Sequence, residues 1–299
     1  MKYETFVDKV REAVQNCMGE EMVIEKKEVI KNNSVSVAGL MIADRKDNYS
    51  SFLDLQFQYL LYLQDEDMDS CVQQIIAEYE KKKEERGKMQ EVMARVREWD
   101  NVREQVYPIL ISYEDNKEWL AEAVHQRFLD LAICFAVRVP EVHGNIKVKR
   151  NLFNLWGITE TVLETQAMEN LMQDGYTISS VLDILEEMGD ASCKERVEED
   201  LGNEIPLRIL SNANCCLGAA GILHRELLAE YAAKIDKNLF LLPSSLHEIM
   251  ILPADKGTVG NELKAMVQEI NQDCVNPEEK LSDHVYYFDR EDNSIRIAA

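Results

Sequence analysis

MVIEKKEVI (22–30), KNN (31–33) and SVSVAGLMIAD (34–44) decide the fold class, because they form two β-rich runs joined by a turn whose asparagines tolerate positive φ. A hairpin builds antiparallel sheet without a helical crossover. On its N-terminal side, Phe6, Val7, Val10, Ala13, Val14 and Cys17 recur at helical spacing, and the helix they predict stops near Gly19. On its C-terminal side a polar break, DRKDNYS (44–50), leads into FLDLQFQYLLYL (52–63). That run is apolar nearly all round, which predicts a helix starting at Phe52 and buried on two sides. Asp65 to Asp69 can cap the positive end of a further helix carrying Met68, Val72, Ile75, Ile76 and Tyr79. EKKKEER (80–86) interleaves both signs and reads as a solvated helix face, not a basic binding patch.

The same patterns recur downstream. VYPILISY (106–113) and FLDLAICFAVRV (128–139) predict strands, and NIKVK (145–149) pairs with the second as a hairpin. Thr159 N-caps a helix through Leu163, Ala167 and Leu171, and TISSVLDILEEMG (177–189) predicts another. Asp190 to Glu204 reads as a solvated connection. PLRILSN (206–212) predicts a strand, and GAAGILHRELLAEYAAKI (218–235) a helix or a strand leading into one. NLFLLPSSLHEIMILP (238–253) predicts two strands around Pro243-Ser244-Ser245, and GNELKAMVQEINQDCV (260–275) an amphipathic helix. HVYYFDREDNSIRIA (284–298) closes as a hairpin turning at Glu291 to Asn293. Hairpins and helix blocks that do not alternate with single strands give α+β with largely antiparallel sheet, not a doubly wound α/β fold. No internal repeat or low-complexity linker interrupts 1–299, and a division into a helix-hairpin-helix lobe (1–100) and an α+β lobe (101–299) is only faintly marked.

Composition narrows the function. The 299 residues are 46% hydrophobic, enough to bury a proper core, and 55 Asp and Glu against 33 Lys and Arg leave a net charge of -22. Such a surface repels phosphates and anionic membranes and lacks the clustered cations that nucleic-acid binding needs, so neither partner is expected. Seven unpaired cysteines and a charged, helix-periodic opening, MKYETFVDKVREAV, point to reduced thiols in a cytoplasm, most of them in the core. The longest apolar runs are far too short to span a bilayer.

No phosphate loop, dinucleotide fingerprint, HExxH, nucleophile elbow or kinase signature occurs, and neither a cofactor nor a metal is expected. No two of His125, His143, His224, His247 and His284 lie at ligand spacing. One nucleophile constellation can be assembled on paper. Cys215 or Cys216 supplies a thiolate, His224 or His247 the base, and Asp283 the orienting carboxylate. The small neighbours Leu217 to Ala220 favour tight packing at that point instead. Ser244, Ser245, His247 and Glu248 stand together in a turn that serves either as a capped connection or as a binding loop. Ser282 or Asp283 is most simply a local backbone cap, and the three tryptophans are expected to stand apart.

VIKNNSVSVAGL, RFLDLAICFAV, WGITETVLETQAMEN and LPSSLHEIMILP…NELKAMVQEINQDCVNPEEKLSDHVYYFD together resemble a bacterial family known as domain of unknown function 5688. The likeness runs over most of the chain, and its C-terminal stretch is the most specific part. It implies a cytoplasmic bacterial protein and a single evolutionary unit, and it transfers no catalytic residue. NYSSFLDLQFQYLLYL departs from the family pattern, which has a Pro-Thr entry into the helix. These observations favour an interaction protein that binds a macromolecular partner, basic or nucleic-acid-binding, through an acidic surface, with a mobile-element anti-defence role as its specialised form. A hydrolase built on residues 215–283 and a small-ligand sensor are the alternatives.

Overall fold

A computed structural model describes residues 1–46, 49–65, 67–142, 144–180, 207–254 and 260–299. They gather into two compact units, Met1–Ala94 and Arg95–Ala299. The fold is α+β with antiparallel sheets.

In the first unit α1 (Tyr3–Met18) buries Phe6, Val7, Val10 and Val14 and stops at Gly19, whose φ of 82° suits a residue without Cβ. β1 (Met22–Ile30) and β2 (Ser36–Asp44) pair from Met22↔Asp44 to Ile30↔Ser36 around a turn in which Asn33 is left-handed. β3 (Tyr49–Asp54) completes the sheet. Phe52 to Asp54 therefore belong to a strand and not, as the apolar run suggests, to a helix. Asp54 ends the strand by accepting the Gln56 amide, and α2 (Gln56–Asp65) starts there. Asp67 caps α3 (Met68–Glu84) by accepting from Ser70, and α4 (Arg86–Val96) follows. Phe6, Leu40, Ile42, Leu53, Ile75 and Tyr79 are fully buried between these helices and the sheet. Each contributes on the order of 1.5–3 kcal/mol of transfer free energy.

The second unit begins with the short α5 (Trp99–Val102). A small sheet follows: β4 (Val106–Ser112), β5 (Gln126–Phe128), β6 (Leu131–Val139) and β7 (Gly144–Lys147), in which β6 pairs with the other three. α6 (Lys117–Ala121), α7 (Arg150–Trp156) and α8 (Glu160–Gln173), capped by Thr159, connect onward. A six-stranded sheet has the order β13-β12-β10-β11-β9-β8. Its strands are β8 (Thr177–Ser180), β9 (Arg208–Ser211), β10 (Leu239–Leu242), β11 (Ile249–Pro253), β12 (Tyr286–Asp289) and β13 (Ser294–Ile297). α9 (Arg225–Ile235) and α10 (Gly260–Asp273) complete the unit. Leu110 and Ile111 of the small sheet share one core with Leu241, Ile251, Tyr286 and Phe288 of the large one.

Three further expectations need correction. Thr177 to Ser180 form a strand paired with β9 and not the start of a helix, and the remainder of that prediction, with Asp190–Glu204, lies outside the described residues. Trp99 and Trp156 are not isolated, since their rings meet at 5.3 Å and Trp156 donates to the Val96 carbonyl. Of the described cysteines only Cys71 and Cys134 are buried, whereas Cys17, Cys215 and Cys274 are exposed and Cys216 is half-buried. Cys193 and His143 lie outside the described residues.

Candidate functional site

The Asn212–Leu217 turn is organised by one buried side chain. Asn212 Oδ1 accepts the amides of Asn214 and Cys216 at 3.2 and 3.3 Å, and its Nδ2 donates to the Cys216 carbonyl at 2.9 Å. These bonds hold Cys215 and Leu217 left-handed, at φ of 48° and 55°, which ordinary side chains seldom adopt. Gly218 follows, where a Cβ would meet Ser211 Oγ at 2.3 Å and the His247 carbonyl at 2.5 Å, so no other residue fits. The Cys216 thiol faces Asn145 Nδ2 at 3.7 Å. It lines a cleft of about 540 Å³ with Arg138, Pro140, Asn145 and Asn214. Asp174 grips Arg138 at both oxygens, at 2.6 and 2.8 Å, and Tyr107 lies beneath the guanidinium at 4.0 Å. Burial, reinforced by the Asp174 carboxylate, raises the Tyr107 and Tyr176 phenols above their usual range.

The residues expected to form a nucleophilic site are engaged with other partners. His247 Nδ1 accepts the Leu217 amide at 3.3 Å, which assigns the ring proton to Nε2, and Nε2 faces Glu279 at 3.6 Å. The ring is thereby engaged on both sides, by the amide that follows Cys216 in the chain and by Glu279, with no bond to the Cys216 sulfur. Asp283 is bonded to other partners than His247, accepting from Asn271 at 2.8 Å and from Lys280 at 2.7 Å. Burial opposes the Asp283 charge, but these hydrogen bonds outweigh it and hold the carboxyl below its ordinary range. His224 N-caps α9 by accepting from Leu227. In the 244–248 turn, Ser244 is buried and its carbonyl accepts the Leu281 amide, while the Ser245 hydroxyl accepts the backbone amide of His247. Glu248 is half-buried beside them. Backbone hydrogen bonds tie the turn to residues 279–282, from Leu246 to the Glu279 carbonyl and from Ser282 to the Pro243 carbonyl.

One polar cluster escapes sequence reasoning. Asp130 sits in the two-residue turn between β5 and β6, behind Leu129 at φ 57°. Its Oδ2 accepts from Ser282 Oγ at 2.7 Å and from His284 Nδ1 at 3.1 Å, and its Oδ1 accepts from the Tyr286 hydroxyl. Burial, with Asp130 alongside, pushes the Tyr286 phenol far above its usual range. Serine, histidine and aspartate converge here, yet not in relay order. The serine and His284 Nδ1 share one carboxylate oxygen, and it is that same Nδ1 that faces the serine, at 3.4 Å. Ser282 is also 4% exposed, so the arrangement pins the β5–β6 turn to the lead-in of β12 and does not present a nucleophile. The only hint in the sequence is a lone carboxylate inside the otherwise apolar FLDLAICFAV.

A second feature lies in the first unit. α2 turns Gln58 inward but leaves Phe57, Leu60 and Leu63 exposed at 64%, 59% and 50%, one apolar stripe at helical spacing. The expectation of two-sided burial holds for its inner face alone.

A family model described as a family of unknown function, DUF5688, matches residues 3–290. The chain belongs to that family. The matched span contains the α2 stripe, the Asp130 cluster and the Cys216 cleft. No curated protein and no solved structure matches the chain significantly. Among the described residues, no three His, Cys, Asp or Glu side chains come together as a metal-holding group. No described helix is long and apolar enough to cross a membrane.

Proposed function

We propose that this DUF5688 chain is an interaction protein that docks a partner protein on the outer face of α2. The observation that carries this reading is the mismatch between pattern and burial on one helix. The helical part of the run, QFQYLLYL (56–63), is apolar on more than one side, and the chain's own core covers only the inner one. Covering Phe57, Leu60 and Leu63 would contribute roughly 5 kcal/mol of transfer free energy before the losses of association. α2 carries no Lys or Arg, and the exposed Asp65, Asp67 and Asp69 follow its apolar stripe. The complementary partner is a protein presenting an apolar helix face flanked by basic residues, which agrees with the net charge of -22. A second copy of the chain would bring like charges together and is disfavoured.

The test compares the wild-type chain with Phe57→Ser/Leu60→Ser/Leu63→Ser in cross-linked capture from host lysate, alongside sedimentation velocity of each. A specific protein retained by wild type and lost from the equally stable triple variant is expected. Identical capture by both would overturn the assignment, as would wild-type self-association abolished by the triple variant.

A further inference from the structure

α2 differs from the helices beside it in what it buries. α1 and α3 each bury four side chains, all of them in the core of the first unit. α2 buries one, and it is Gln58. That amide is a poor anchor. Among the described residues its Oε1 is enclosed with no hydrogen-bond partner, and its Nε2 reaches Glu78 only at 3.4 Å. A buried acceptor left unpaired opposes the seated position of the helix. Phe57, Leu60 and Leu63 meanwhile face solvent, so seating α2 hides its glutamine and shows its apolar side chains.

What holds α2 down is correspondingly slight. The half-buried rings of Tyr59 and Tyr62 rest on Phe6 at 5.2 and 5.3 Å. The Tyr59 hydroxyl donates to the Met1 carbonyl in an exposed bond, and the Cys71 thiol donates to the Gln58 carbonyl at 3.4 Å. The start of α3 does not depend on α2, because Asp67 caps it separately. Few buried apolar contacts and solvent-reachable bonds mark a segment that opens by itself while the rest of the fold stays intact. We infer that α2 is a latch that lifts off α3 in the free chain without unfolding of the first unit. Only the use of that motion rests on the docking proposed above, where a lifted α2 offers a partner its inner tyrosines as well as its outer stripe.

Cys71 reports the lifting directly, because it is 2% exposed and its sulfur lies against the Gln58 carbonyl. The full-length chain is alkylated with iodoacetamide at increasing urea below the unfolding transition. Each cysteine is followed by peptide mass spectrometry, relative to its rate in the fully unfolded chain. Cys134, buried in the second unit, serves as the protected reference and the exposed Cys17 as the free one. Cys71 is expected to be less protected than Cys134 by about tenfold or more. Its rate should be nearly flat in urea, since a small opening exposes little surface. Gln58→Met keeps the length of the side chain and removes the orphaned acceptor. It should slow Cys71 about tenfold and leave Cys134 unchanged. A Cys71 rate that climbs with urea as steeply as that of Cys134 would overturn the inference. So would equal protection of the two thiols, or a Cys71 rate indifferent to position 58. No partner enters this measurement, so it can fail while capture through Phe57, Leu60 and Leu63 succeeds, and the reverse.

Discussion

Asp130→Asn is the sharpest test of how the second unit is held together. The carboxylate serves three side-chain donors, with Ser282 and His284 on Oδ2 and Tyr286 on Oδ1. Asparagine has one acceptor oxygen, so its NH2 must face one side. If the carbonyl stays with Ser282 and His284, the NH2 confronts a phenol that is fully buried. A hydrogen bond to a charged group contributes about 1.5–3 kcal/mol, and a buried donor left unpaired costs about 1–3 kcal/mol. The phenol can turn its proton and accept from the amide, which recovers part of this, so a net loss of about 2–3 kcal/mol is expected. At roughly 2–4 °C per kcal/mol for a domain of this size, the transition should fall by about 5–10 °C. Urea unfolding followed by near-UV circular dichroism measures the change, and Tyr286→Phe supplies the control. In that background the donor is already gone, and Asp130→Asn should cost about 1 kcal/mol less. A single-variant loss below about 0.5 kcal/mol, within the range of ordinary surface substitutions, would refute the reasoning. Strict additivity of the pair would do the same.

Two further outcomes follow from the geometry. Gly218→Ala should destabilise the second unit by about 2 kcal/mol or more, because the added methyl meets the His247 carbonyl as well as a movable hydroxyl; thermal melts decide it. Glu141, hydrogen-bonded to Arg95, is held down at about 2. Since this lies below the unfolded value, the pair favours folding above the ordinary Glu range and ceases to do so as pH falls toward about 2. Carboxyl NMR titration should show the low midpoint, and Arg95→Gln should return it to the ordinary range.

Much of the architecture is legible because sheet pairing here is local. The 22–44 hairpin, the β6–β7 pair and the closing β12–β13 hairpin each join neighbouring runs, so alternation and turn residues suffice. FLDLQFQYLLYL misled because a short apolar run does not distinguish the end of a strand from the start of a helix. The change falls at Asp54, whose side chain caps Gln56, a signal present in the sequence but easily absorbed into the run. Whether that helix is covered on both faces depends on a partner, which no periodicity can state. Cys216 and His247 do share a neighbourhood, through the Leu217 amide, but the ring's use as an acceptor there is a matter of geometry alone. The Asp130 cluster joins residues more than 150 positions apart, beyond the reach of any local pattern.

That separation also sets a clock on synthesis. Ser282 is made 152 residues after Asp130. At about 5–20 residues per second, the ribosome delivers this donor roughly 8–30 s after the carboxylate it must meet. β12, the central partner of β10 and β13, arrives in the same late window. For that interval the nascent second unit carries an apolar sheet with its edge unpaired and an aspartate without its donors, while the hairpin of the first unit already has every strand it needs. The vulnerable period of this chain in a cell is therefore roughly the second half of its own translation, when a chaperone at the tunnel exit has most to protect.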